Sequence, residues 1–258
     1  MNVFNHENGD FFINDNAKIY YEIKGNESGY PIIFIHGGML NIESFNGMIS
    51  HIPEQYRCIG IDSRGHGKST FGSNLSYALL QNDVEMLMDH LKLDKCSIVG
   101  HSDGGTVALR LAASRPERVE KLITIGAQWY LATDDPAREV YKDITPEKWI
   151  NKFPDNVKAY EALNEDPRFS QLLTEIVKMW LDTSETGYPY RSVNNISCST
   201  MIIRGDEDWL VPRHHSISLA DIIDKSVLFT VPFSNHCVHE ERPELIASFI
   251  LEFLQKRA

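Results

Sequence analysis

The run Ile98-Val99-Gly100-His101-Ser102-Asp103-Gly104-Gly105 limits what this chain can fold into more than any other segment. An apolar, β-branched strand ends there, and a helix-like stretch, Thr106-Val107-Ala108-Leu109-Arg110-Leu111, begins at once. A serine at the tip of so sharp a strand-to-helix turn holds a strained backbone, and side chains two residues to either side would collide. Gly100 and Gly104 remove those side chains. An ordinary glycine-rich turn can carry the same five letters, so the weight falls on the flanking strand and helix. On that basis Ser102 is a candidate nucleophile.

Short apolar runs alternate with amphipathic stretches along most of the chain. Strands are expected at 17–24, 31–36, 57–62, 96–101, 121–125, 200–204 and 226–231, with a further short one at 11–14. This rhythm predicts an α/β fold, a mostly parallel central sheet with helices on both faces. Leu80, Val84, Leu87, Met88 and Leu91 mark one apolar helix face, and Leu245, Ile246, Phe249, Ile250, Phe253 and Leu254 mark a core-facing terminal helix. From 128 to 195 the rhythm stops, and several helices are expected between Pro136, Pro146, Pro154, Pro167 and Pro189. The chain therefore divides into a core, 1–127 and 196–258, and a helical cap, 128–195, inserted after the sixth strand. Phe169, Leu172, Leu173, Ile176, Val177 and Trp180 recur at helical spacing in that cap, a stripe that reads mostly as packing onto the core.

A serine hydroxyl is a poor nucleophile near neutral pH. It needs a histidine to take its proton and a carboxylate to orient that histidine. After the strand at 200–204 comes Gly205-Asp206-Glu207-Asp208-Trp209-Leu210-Val211-Pro212, and after that at 226–231 comes Pro232-Phe233-Ser234-Asn235-His236. Both loops leave carboxyl ends of strands, which in a parallel sheet share one edge with Ser102. Asp206 and Glu207 also read as turn residues, His239 is the nearest rival to His236, and His214-His215 reads as the opening of a solvated helix.

With Ser, then Asp, then His in this order, the chain resembles the α/β-hydrolase family across nearly its whole length. The family's Gly-x-x-Asp turn followed by Val-Pro matches Gly205, Asp208, Val211 and Pro212, so the resemblance makes Asp208 the acid, with Asp206 the alternative. His236 matches the family histidine through Glu240, Arg242-Pro243-Glu244 and the apolar helix that follows, although Asn235 stands where relatives often have Gly. Phe34-Ile35-His36-Gly37-Gly38-Met39 resembles the family's oxyanion turn, which implies backbone N–H donors at Gly38 and, after the nucleophile, at Asp103. The carboxylate of Asp103 suits the first turn of a helix and could also attract a cationic group. Asp62-Ser63-Arg64-Gly65-His66-Gly67-Lys68-Ser69 ends like a phosphate loop but has Asp62 where that loop needs glycine; it resembles instead a structural loop of the family.

The 258 residues carry a formal charge of −11, with 42% hydrophobic residues. That balance argues against nucleic acid or an anionic membrane as partner. The first residues have neither a basic nor an apolar leader region and no later segment reaches membrane-spanning length, so a cytoplasmic location is expected. Cys58, Cys96, Cys198 and Cys237 lack zinc or redox spacing and read as buried thiols. Nor does the segment His236 to Glu240 fit the helical zinc motif, so no metal and no cofactor are expected.

The resemblance implies a cofactor-independent serine hydrolase with a small-molecule substrate, an ester or alternatively an amide, thioester or lactone. Carbon–carbon bond hydrolysis or perhydrolysis by the same triad, and a receptor of the same fold with little turnover, stay open. Trp129, Tyr130, Trp149, Phe153, Trp180, Tyr188 and Tyr190 are expected to roof the pocket, each also a candidate for plain packing.

Overall fold

The computed structural model describes residues 3–256. Eight strands form one sheet: β1 (Asp10–Asn14), β2 (Ala17–Gly25), β3 (Tyr30–Ile35), β4 (Tyr56–Ile61), β5 (Cys96–His101), β6 (Val119–Ile125), β7 (Ser199–Gly205) and β8 (Ser226–Val231). Their order across the sheet is β1-β2-β4-β3-β5-β6-β7-β8. β2 pairs antiparallel with β1 and β4, and all other pairs are parallel. The helices in chain order are α1 (Asn46–Ile49), α2 (Tyr77–His90), α3 (Asp103–Ser114), α4 (Ala137–Asp143), α5 (Pro146–Lys152), α6 (Pro154–Leu163), α7 (Phe169–Trp180), α8 (Arg213–Ile222), α9 (Val238–Glu241) and α10 (Pro243–Gln255).

Strand side chains alternate between two faces, and the central strands are apolar on both. Ile33, Ile35, Ile59, Ile61, Ile98 and Leu122 point into a core shared with α2 and α3. Ile32, Phe34, Cys58, Val99, Ile123 and Ile203 point into a second core beneath α1 and α10. On α10, Ile246, Ile250 and Phe253 are buried as the periodicity predicts, but Leu245 and Phe249 are 40% and 37% exposed. The reason is topological: β8 is the edge strand, so nothing beyond it covers that side of the helix.

No strand lies between β6 and β7; α4 to α7 fill that interval and rest on the carboxyl rim of the sheet. Asn164 Nδ2 donates to the carbonyls of Gly67 and Ser69, and Asn156 Nδ2 to that of Met39. Phe169, Leu172, Leu173, Ile176 and Trp180 are buried along α7 as expected, joined by Met179, while Val177 is only partly covered.

Candidate active site

β5 ends at His101, and Ser102 follows with φ +51°, a left-handed conformation rare for a residue with a side chain. The Ser102 N–H donates to the carbonyl of Ile125 at the end of β6 (2.8 Å), which pins the turn from its neighbouring strand. A Cβ on Gly100 would lie 2.3 Å from the carbonyl oxygen of Gly104, and one on Gly104 2.0 Å from that of Ile35. Close backbone approach between β5, α3 and β3 thus demands both glycines.

The loops after β7 and β8 lie on the same rim, because Gly205 pairs with Val231 and Ile125 with Ile203. They are tied to each other by Asp206 N–H to the Val231 carbonyl and Glu207 N–H to the Ser234 carbonyl, each 2.9 Å. This brings His236 Nδ1 to 2.9 Å from Asp208 Oδ2. The other oxygen, Oδ1, accepts the N–H groups of Leu210 and Val211, both at 2.9 Å, so the carboxylate cannot swing away. The His236 ring sits 3.2 Å from a Cβ built on Gly126, the residue following Ile125. Ser102 and His236 therefore flank the end of β6. Asp206 is engaged elsewhere, by Arg204 at 3.1 Å and Arg213 at 3.6 Å. His239 is fully buried against His101, ring centroids 4.3 Å apart, and burial pushes its imidazole down to about 3.

On the opposite side of Ser102 the turn after β3 closes in. A Cβ on Gly37 would meet Ser102 Cβ at 3.1 Å, and one on Gly38 would meet Asp103 Oδ2 at 2.5 Å. His36 fixes this turn: its Nε2 accepts the Ser63 N–H (2.9 Å), which leaves Nδ1–H to donate to the Gly37 carbonyl (2.7 Å). The loop at 62–69 is structural, with Asp62 accepting the N–H groups of Ile42 and Lys68 and pairing with His6 Nε2 at 2.8 Å.

A small cavity of about 20 Å³, room for one water, adjoins Ser102 and Asp103. Tyr77, Thr106, Gln128, Tyr141 and Trp180 line it. Of the seven aromatic residues expected to roof the pocket, only Trp180 does. Trp129 turns its Nε1–H to the His215 carbonyl, Trp149 packs at a tilt against Phe153, and the Tyr188 and Tyr190 hydroxyls bond backbone carbonyls. Asp103 is 7% exposed and accepts hydrogen bonds from Tyr77 Oη (2.7 Å) and Trp180 Nε1 (2.8 and 2.9 Å). Burial raises its carboxyl above the ordinary aspartate range, and those hydrogen bonds pull it back in part. Gln128 accepts from Tyr141 Oη through Oε1, while its buried Nε2 has no partner.

Among the described residues one trio could hold a metal ion, Asp135, His214 and His215. Here the expected solvated histidine pair divides. His214 is exposed, whereas His215 is buried, packs at a tilt against Tyr130 at 4.4 Å and pairs with Asp135 at 3.3 Å, because its side of the first turn of α8 faces the core. The Cys237 thiol, beside the candidate base, is pushed up to about 12 by burial and by Glu240 and Glu241, which leaves it a poor nucleophile. No helix among the described residues is long and apolar enough to cross a membrane.

Comparison with known proteins agrees with this architecture. A protein of Haemophilus influenzae described as an esterase/lipase is 26% identical over 271 residues, covering 96% of this chain and 94% of its own. The sn-1-specific diacylglycerol lipase of mouse is 26% identical, covering 91% and 84%. A 2-hydroxy-6-oxo-6-(2'-aminophenyl)hexa-2,4-dienoic acid hydrolase of Metapseudomonas resinovorans is also 26% identical, over 89% and 86%. In fold, the chain superposes on a meta-cleavage product hydrolase of Pseudomonas fluorescens with TM-score 0.81 at 23% identity, covering 97% and 98% of the two chains. The model of the alpha/beta hydrolase fold matches residues 30–178, more than half of the chain. With that match and the sheet order described above, the chain belongs to the α/β-hydrolase fold family.

Proposed function

We propose that this protein is a serine hydrolase that cleaves a small carboxylic ester through an acyl-enzyme on Ser102, with His236 as base and then acid and Asp208 as its orienter. One observation carries the reading: a serine at φ +51° on the rim that also holds a histidine 2.9 Å from a buried, doubly anchored carboxylate. Because Nδ1 of His236 faces Asp208, Nε2 is left for the serine proton. Ser102 Oγ bonds the ester carbonyl carbon as His236 takes that proton. The oxyanion is received by the N–H groups of Gly38 and Asp103. The bond to the alcohol oxygen then breaks as His236 returns the proton to it, and water releases the acid by the same two steps in reverse order.

The cavity beside Ser102 has room for one water-sized group, so an acyl group larger than that requires the helical insertion to move as a lid. Carbon–carbon hydrolysis of the kind named for the Metapseudomonas relative acts on a dienoic acid. No lysine or arginine lines this cavity and Asp103 does, so a substrate carboxylate would meet repulsion rather than a partner. That favours the ester.

Labelling with a fluorophosphonate, read by intact mass, tests the nucleophile: one adduct is expected on the wild type and none on Ser102→Ala. The same variant should lose about 10⁴-fold or more in kcat/KM on p-nitrophenyl acetate. An undiminished adduct on Ser102→Ala, or none on the wild type, refutes the assignment. Labelling with only a single turnover of every ester offered favours a receptor.

A further inference from the structure

Asp103 is a buried carboxylate one residue from the candidate nucleophile; the imidazole of His236 is the one titratable cation within its electrostatic reach, and it carries charge only after taking a proton. Its hydrogen-bond partners are two neutral donors, Tyr77 Oη and Trp180 Nε1, and no ion pair to it forms among the described residues. The positive end of α3 eases the charge without neutralising it. Buried charge without a partner is costly, and an asparagine would keep the same backbone and most of the same contacts. The carboxylate also stands where it opposes the reaction. Its Oδ2 lies against Gly38, so an ionised Asp103 adjoins the place where the tetrahedral intermediate develops its own negative charge. An apolar acyl chain entering this cavity leaves the Asp103 carboxylate without a cation.

Resting on the ester-hydrolase reading above, we propose that the acyl half of the substrate carries an ammonium group, which pairs with Asp103 in the aromatic cavity formed by Tyr77, Tyr141 and Trp180. The pairing does two things. It supplies the cation that the buried carboxylate lacks, with the rings as favourable neighbours for a positive group. It also cancels the negative charge beside the oxyanion turn, so that an ammonium substrate gains in kcat as well as in binding. The ammonium belongs on the acyl side because the cavity adjoining Ser102, lined by Tyr141 and Trp180, has room for one water-sized group, and an ammonium is of that size.

Alanine benzyl ester and propionic acid benzyl ester differ by that ammonium group alone within the acyl half. On the wild type the alanyl ester is expected to exceed the propionyl ester at least about a hundredfold in kcat/KM, with part of the difference in kcat. Asp103→Asn keeps the backbone N–H, so its preference should fall below about tenfold while kcat on the propionyl ester rises. Acetylcholine, with its cation on the alcohol half, should be no better than ethyl acetate. Equal rates on the benzyl ester pair by the wild type overturn the proposal even if the variant fails to fold, as does an undiminished preference in Asp103→Asn. A preference for acetylcholine places the ammonium in the alcohol half and equally overturns it. Fluorophosphonate labelling of Ser102 separates these outcomes from failure of the hydrolase reading: an enzyme that labels but shows no alanyl preference loses only the ammonium assignment.

Discussion

At the carboxyl rim of the sheet His36, His66, His101 and His239 are almost wholly buried, whereas in the insertion between β6 and β7 charged side chains pair with one another in water. Burial drives His66 and His239 down to about 3 and holds His101 well below the ordinary histidine range, so these rings pack as neutral groups. Lys142–Glu139, Lys148–Asp143 and Lys158–Asp155 in the insertion are all more than half exposed. α3, under the rim, buries ten of its twelve residues; α5 buries none and α6 only Val157. The rim is thus densely packed, whereas α5 and α6 lie mostly at the surface and the insertion is tied to the rim through α7, where Trp180 meets Asp103. A site whose chemistry is fixed and whose roof is tied on through one helix can change its access without changing its mechanism.

The sharpest way to break this contrast is at Asp208. Asp208→Asn should leave the loop in place, since Leu210 and Val211 can still donate to the amide oxygen, yet lower kcat on p-nitrophenyl acetate by about 10³-fold or more through the wrong histidine tautomer. Asp206→Asn touches only Arg204 and Arg213 and should cost less than about threefold. Equal losses from the two variants would mean that rim geometry does not single out Asp208.

The buried rings give the next largest effect. Above about pH 6.5 a histidine is neutral in the folded and unfolded chain alike and adds no pH dependence. Below it the unfolded chain binds protons that His66 and His239 refuse, so stability is present above that pH and is lost as pH falls toward about 3. Between pH 7 and pH 5 the loss is on the order of 2 kcal/mol for each. Urea unfolding should show His239→Phe losing less over that interval than the wild type. An unchanged loss would show that His239 takes up its proton inside the fold.

The same contrast explains what could be read from residues alone. The eight strands are legible because each is an apolar run ended by turn residues, and the rim residues follow because parallel strands end on one edge. Asp208 becomes distinct from Asp206 only through loop hydrogen bonds, for which the matched Gly-x-x-Asp spacing was the available signal. Tyr77, Tyr141, Thr106 and Gln128 were missed as cavity residues. They come from four separate segments, α2, α3, the loop after β6 and α4, and their convergence depends on how the insertion lies on the rim, which no periodicity encodes. Trp180 sat on the predicted apolar face of α7, but that face does not tell that its Nε1–H would find Asp103. His215 shows the same limit at a helix start, where one position separates solvent from core.

The smallest effect tests whether exposed ion pairs hold the insertion down. Hydrogen exchange should find the amides of α5 and α6 at least about tenfold less protected than those of α3, ~1.4 kcal/mol of local stability, because so few of their side chains are buried. Raising the salt to about 1 M shortens the screening length to about 3 Å and should weaken Lys142–Glu139 and Lys158–Asp155. Exposed pairs of this kind contribute less than about 1 kcal/mol, so protection in α5 and α6 should shift by less than about fivefold. A larger loss would mean that charge, rather than the apolar face of α7 and the amides of Asn156 and Asn164, keeps the roof on the site. Opening would then answer to ionic strength, and the acyl-length preference of the enzyme should relax in the same salt.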